Sequence, residues 1–152
     1  SVYNRKEDCY ERWKSTTSGV HFDVLVTNPP YSGDHIQRLV EYATSSHSKP
    51  FFLLLPNWVV KKDYYQDCMR NIRPFYLVPH KRYVYVPPKD FRSAKKSDTH
   101  KKSAPFVSLW YCWGGDDGTN EQLIRLFYQQ INSQCDLARS KNALRDLRRK
   151  KR

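Results

Sequence analysis

The chain has 152 residues, 39% of them hydrophobic, a mean hydropathy of −0.83 and a formal net charge of +12. One domain of ordinary size fits that length. No apolar run nears the ~18 residues of a membrane span, and the N-terminus is charged, so neither a membrane partner nor a secretory signal is expected.

Cys9, Cys68, Cys112 and Cys135 form no CxxC pair or other zinc-ligand spacing, so no metal site is expected. The reading is an intracellular protein, nuclear or cytoplasmic, with reduced thiols. A start at Ser1 without a methionine reads as a fragment or processed product. The positive charge is local. Residues 81–102 hold Lys81, Arg82, Lys89, Arg92, Lys95, Lys96, Lys101 and Lys102 against Asp90 and Asp98. Residues 139–152 hold eight more cations against Asp146, which leaves the remainder near neutral. Concentrated charge points to a polyanionic partner.

In chain order, Val2, Tyr3, Cys9, Tyr10 and Trp13 give a helical signal over 2–14. Residues 22–27 read as a strand running into Asn28-Pro29-Pro30-Tyr31. Ser32-Gly33-Asp34 offers capping oxygens for a helix whose Ile36, Leu39, Val40 and Ala43 share a face. Phe51–Leu55 is a continuous apolar run, as a strand buried on both faces requires, and Pro56-Asn57-Trp58 closes it. Residues 61–71 read as a helix, and 75–78 and 83–86 as strands. A basic stretch over 88–103 and a strand over 106–113 follow. Gly114–Gly118 turns into a long helix from Thr119 that carries Leu123, Ile124, Phe127 and Ile131, then thins to Leu137, Leu144 and Leu147.

The Asn-Pro-Pro-Tyr segment carries the chemistry. Two consecutive prolines lack N–H groups and fix φ, so the strand must end in a stiff loop. That loop holds the Asn28 amide, the Pro29 carbonyl and the Tyr31 ring at a strand's carboxyl end, where open α/β sheets bind ligands. An aromatic amine is a poor nucleophile because its lone pair is delocalised. Acceptors on both its N–H bonds favour a pyramidal nitrogen, and an aromatic ring stacked on the base orients it. A base in a duplex must be flipped out, or already be unpaired, to reach such a corner.

With the strand before it and the helix after it, this segment resembles the catalytic motif of the S-adenosylmethionine-dependent amino-methyltransferases, above all those acting on adenine. The resemblance spans roughly residues 20–115. It implies an α/β fold: the C-terminal half of a Rossmann-like methyltransferase domain, mostly parallel, ending in an antiparallel hairpin, with a long C-terminal helix added. Residues 1–118 are then a catalytic half-domain, and 119–152 a helix with a basic tail. The implied catalytic residues are Asn28, Pro29, Pro30 and Tyr31. Asn57 and Trp58, at the end of the next parallel strand, are candidates for flanking the substrate.

The implied cofactor, S-adenosylmethionine, needs a glycine-rich loop and an acidic residue that usually precede the motif strand. Only 21 residues precede Phe22, too few at roughly 30 residues per βαβ unit. The cofactor half is therefore expected to be missing from this chain. A permuted alternative, Leu109–Gly118 leading into a helix, lacks a following strand to supply the acid.

Lys81, Arg82, Lys95, Lys96, Lys101 and Lys102 interleave with Tyr83, Tyr85 and Phe91, a composition suited to single-stranded nucleic acid. The C-terminal helix is a candidate surface for a protein partner. The expectation is an exocyclic-amine methyltransferase acting on DNA or RNA. The alternative is a non-catalytic nucleic-acid-binding or scaffold protein derived from that fold.

Overall fold

A computed structural model describes residues 21–45, 49–84 and 107–150. The expected helix over 2–14, residues 85–86 of an expected strand and the whole basic stretch over 88–103, with Lys95, Lys96, Lys101 and Lys102, lie outside the described residues.

Strand β1 (Leu25–Thr27) leads through the Asn-Pro-Pro-Tyr corner to helix α1 (His35–Thr44). Strand β2 (Phe51–Pro56) is followed by a 3-10 turn (Val59–Lys61) and a short helix α2 (Asp63–Cys68). Then come β3 (Phe75–Pro79), β4 (Ser108–Trp113), α3 (Asp117–Gln130), β5 (Cys135–Ala138) and α4 (Lys141–Lys150).

The strands form one sheet in the order β1-β2-β4-β3-β5. β1 and β2 are parallel, with Leu25 opposite Phe51 and Thr27 opposite Leu53. β4 lies antiparallel between β2 and β3, pairing Phe51 with Trp113 and Pro56 with Ser108. β5 runs antiparallel to β3 on the far edge. The sheet is therefore mixed, which corrects the expectation of a mostly parallel one. Three strands point one way and two the other, and β1–β2 is the single parallel pairing among the described residues. The expected antiparallel β3–β4 pair is present, but the sheet does not end there, because β5 adds a strand beyond β3.

Alternation along the strands explains the layers. Phe51, Leu53 and Leu55 of β2, Leu109, Tyr111 and Trp113 of β4, and Tyr76 and Val78 of β3 share one core. α1 contributes Ile36, Leu39 and Val40 to it, α2 Tyr65, and α4 Leu144. On the opposite face Phe75 and Cys112 meet Ile124 of α3, with Phe52, Leu77, Trp110 and Leu137 beside them. Cover on both faces is why β2 and β4 are apolar almost throughout. Towards β1 that second face opens, leaving Val24 44% and Val26 62% exposed.

Several local expectations change. The long C-terminal helix is two helices separated by a strand. α3 stops at Gln130, a turn over 131–134 follows, and Cys135–Ala138 completes the sheet against the free edge of β3. Ser140 then starts α4, its hydroxyl accepting from the Ala143 amide at 3.1 Å. Residues 119–150 are thus part of the same sheet and core as the residues before them. The helix read over 61–71 is the shorter α2 preceded by the 3-10 turn. Tyr83 and Val84 are not in a strand. Asp34 stands before α1 but makes no side-chain cap.

Candidate functional site

The Asn-Pro-Pro-Tyr corner leaves the carboxyl end of β1, beside the carboxyl end of β2. Within it Pro29 is buried, while Asn28 and Pro30 are exposed. Among the described residues no hydrogen bond engages the Asn28 side chain. Tyr31 is half-buried and packs against the main core. Its hydroxyl donates to the Leu54 carbonyl at 2.9 Å and lies 3.3 Å from the Ser108 hydroxyl. The ring expected to stand free for stacking is therefore held at its tip by β2 and β4.

The end of β2 is clamped twice more. Tyr111 donates its hydroxyl to the Pro56 carbonyl at 2.7 Å and accepts from the Val60 amide at 3.2 Å. The Asn57 amide donates to the Val107 carbonyl at 2.8 Å. This loop carries the two substrate candidates. Asn57 is half-buried and Trp58 is exposed, so Trp58 is not a core residue. The Lys62 ammonium sits 5.3 Å from the Trp58 ring centroid, a cation–π pair on the rim.

Beneath the clamp lies a tyrosine cluster. Tyr65 and Tyr76 share a hydrogen bond of 2.7 Å, and both rings meet Tyr111 edge-on at 5.3 Å. Burial pushes Tyr76 up to about 12 and holds Tyr65 and Tyr111 well above the ordinary phenol value. These phenols stay neutral and act as braces. Burial likewise raises Cys112 far above its ordinary value, which leaves an inert thiol.

Lys81 and Arg82 are exposed just past the carboxyl end of β3. Register sets that end level with the others: Leu77 faces Trp110, which faces Leu54. Asn28, Trp58 and the Lys81–Arg82 pair thus lie at one end of the sheet. His80 ties the same rim to the β5 turn. Its ring nitrogens lie 3.0 Å from the Ser133 carbonyl and 3.0 Å from the Asp136 carboxylate. Tyr83 accepts from the Trp110 indole at 2.8 Å. Sequence reasoning missed the braces Tyr111 and Ser108. The period-2 pattern of β4 could have placed Tyr111 on the face shared with Leu53 and Leu55, but nothing local names its acceptor.

The described residues do not fit S-adenosylmethionine. The glycine pair that could form a donor loop, Gly114-Gly115, lies at the amino end of α3, at the opposite end of the sheet from Asn28. Its geometry is closed on itself. Gly115 adopts φ +94°, and a Cβ on Gly114 would lie 2.8 Å from the Asn120 amide nitrogen. Asn120 accepts from the Gly114 amide at 2.8 Å and donates to the Arg73 carbonyl at 2.9 Å. Asp116 accepts from the Thr119 amide at 2.7 Å and from its hydroxyl at 2.8 Å. The groove beside it, about 320 Å³, is lined by Arg73, Phe75, Asp117, Glu121 and Arg139, with Glu121 and Arg139 paired to each other. Against expectation a strand, β5, does follow α3, but it runs antiparallel to β3 and so puts no acid at the end of a parallel strand.

Set against known protein families, curated proteins and solved structures, the chain matches none. No helix among the described residues is long and apolar enough to cross a membrane.

Proposed function

We propose that this chain is the target-holding half of an amino-methyltransferase, receiving the exocyclic amine of an unpaired nucleic-acid base, adenine first. The observation that carries the reading is the contrast within one corner. Pro29 and Tyr31 are fixed by burial and by hydrogen bonds to β2 and β4, while the Asn28 amide is exposed and unengaged by described residues. A free acceptor on a rigid base is what amine recognition needs.

The Asn28 amide oxygen and the Pro29 carbonyl accept the two N–H bonds of the amine and so localise its lone pair. The part-exposed Tyr31 ring and Trp58 flank the base. Lys81 and Arg82, and Lys95, Lys96, Lys101 and Lys102 in the basic stretch, meet phosphates. The run from motif strand through α1 to parallel apolar β2, then the antiparallel β3–β4 pair, matches the order of a Rossmann-like methyltransferase half-domain and supports the reading. The methyl donor, S-adenosylmethionine in that family, belongs outside the described residues. No transfer step is assigned to them.

The misfit of the donor to these residues favours a second reading, a nucleic-acid-binding or scaffold protein that keeps the corner without the reaction. Both readings share a first test. An oligonucleotide with one unpaired adenine should bind about tenfold more tightly than the same strand carrying unsubstituted purine, as two hydrogen bonds warrant. Asn28→Ala should erase that preference. Equal affinity of the wild-type protein for the two strands sinks amine recognition. Transfer of labelled methyl to the adenine strand by the parent polypeptide, lost in Asn28→Ala, then separates enzyme from binder.

A further inference from the structure

Tyr83 has no part in the corner just described, yet a direct contact fixes its place beside it. Instead of continuing into a strand, Tyr83 offers its hydroxyl oxygen to the Trp110 indole N–H at 2.8 Å. That bond ties the segment beyond β3 to a central strand. Trp110 faces Leu77 across one pairing and Leu54 across the other. On β1 the last pair is Thr27 with Leu53, so the level of Leu54 is where Asn28 opens the corner. Trp110 and Asn28 therefore share one level of the sheet, two strand spacings or about 10 Å apart. The Trp110 side chain belongs to the second-face cluster with Phe52 and Leu77, on the face left open at Val24 and Val26.

Lys81 and Arg82 directly precede Tyr83, and both are exposed. No described residue forms an ion pair or hydrogen bond with either side chain. Tyr83 itself is 37% exposed. Water could satisfy an indole N–H at a surface, so burial does not demand this bond. Its effect is to fix an aromatic ring that stays accessible. A fixed ring beside two unpaired cations suits a single-stranded nucleic acid, in which bases stack on the ring and phosphates meet the cations. An acidic peptide would use the cations and leave the ring idle.

We infer that Tyr83, held by Trp110, is the stacking platform for the nucleotide next to the one in the Asn28 corner, with Lys81 and Arg82 on the adjoining phosphates. The neighbouring target nucleotide rests on the function proposed above; the tethered ring and its cations rest on the fold. Trp110 acts through Tyr83 and is a positioning residue.

Oligothymidylate and an abasic deoxyribose-phosphate strand of equal length are the probes, titrated into the full chain. Thymine carries no exocyclic amine, so the result is independent of amine recognition at Asn28. Tyr83→Ala should weaken oligothymidylate binding about tenfold and leave the abasic strand unaffected. The slope of log K against log salt should stay at the wild-type value, since no cation is lost. Lys81→Gln/Arg82→Gln should weaken both strands and flatten the slope by about 0.7 for each phosphate no longer neutralised. Tyr83→Phe keeps the ring and removes the acceptor, while Trp110→Phe removes the donor. Each should weaken oligothymidylate about threefold, and the two together no more than either alone. Wild-type affinity for oligothymidylate in Tyr83→Ala would overturn the platform. So would an equal loss on both strands, or no binding of oligothymidylate by the wild-type chain. Additive losses in Tyr83→Phe and Trp110→Phe would overturn the role of Trp110.

Discussion

At the scale of single residues, the corner is organised by hydroxyls rather than by charges. Tyr111 contributes one oxygen and makes two bonds with it, to the Pro56 carbonyl and from the Val60 amide. Tyr111→Phe keeps the ring and its edge-on packing with Tyr65 and Tyr76 but leaves both partners unsatisfied in a buried place. A loss of about 1–3 kcal/mol in denaturant unfolding is expected. Trp58 fluorescence should change in the folded state as the loop beyond Pro56 loosens; a wild-type emission spectrum would mean the brace does not position Trp58. Asp116 offers a pH test. The Thr119 amide and hydroxyl hold its carboxyl below the ordinary carboxylate value. A depressed pKa contributes stability above the unfolded value, about 3.9, and loses it as pH falls through the folded one. Melting temperature should therefore drop less between pH 5 and pH 2 in Asp116→Ala than in wild type. Parallel curves would remove the cap from the account.

At the scale of elements, what can be read from the sequence divides along local and non-local lines. β2, β4 and α1 are legible because their patterns are self-contained: Phe51–Leu55 and Leu109–Trp113 are apolar throughout, and Ile36, Leu39 and Val40 recur at helical spacing. β5 is not. Cys135-Asp136-Leu137-Ala138 is too short for its alternation to stand out, and Leu137, Leu144 and Leu147 recur at spacings of seven and three that a helix also gives. Its extended state comes from the open edge of β3, a partner more than fifty residues upstream. The corner follows the same rule. Its location at the end of a strand is legible from two prolines, but the tether of Tyr31 to Leu54 and Ser108 depends on strands far away in the chain. Pattern alone overstates the parallel character of the sheet, because apolar runs betray double-sided burial and carry no direction.

At the scale of the molecule, one core joins segments from both ends of the described chain. Leu144 of α4 is 1% exposed and packs with Leu39, Leu53 and Leu109. Leu144→Ala should cost about 2–5 kcal/mol, as truncating a fully buried leucine does. A loss below about 1 kcal/mol would show that α4 is an appendage to the sheet rather than part of it. Charge is distributed differently from the core: Lys61, Lys62, Lys81 and Arg82 lie at the end of the sheet that also presents Asn28 and Trp58, while Arg73 and Arg139 lie at the other end.

The pairing of Phe51 with Trp113 has a temporal consequence. Adjacent strands β2 and β4 are separated by about fifty residues of chain, so the central hydrogen-bonded ladder closes only after a long intervening segment has been brought together. Such non-local topologies fold slowly, in milliseconds to seconds. During synthesis the ribosome will have released Asn28 and Trp58 well before β4 emerges to hold them. Until then the Asn-Pro-Pro-Tyr corner has its residues but not its shape, and it matures in the same cooperative event that completes the sheet.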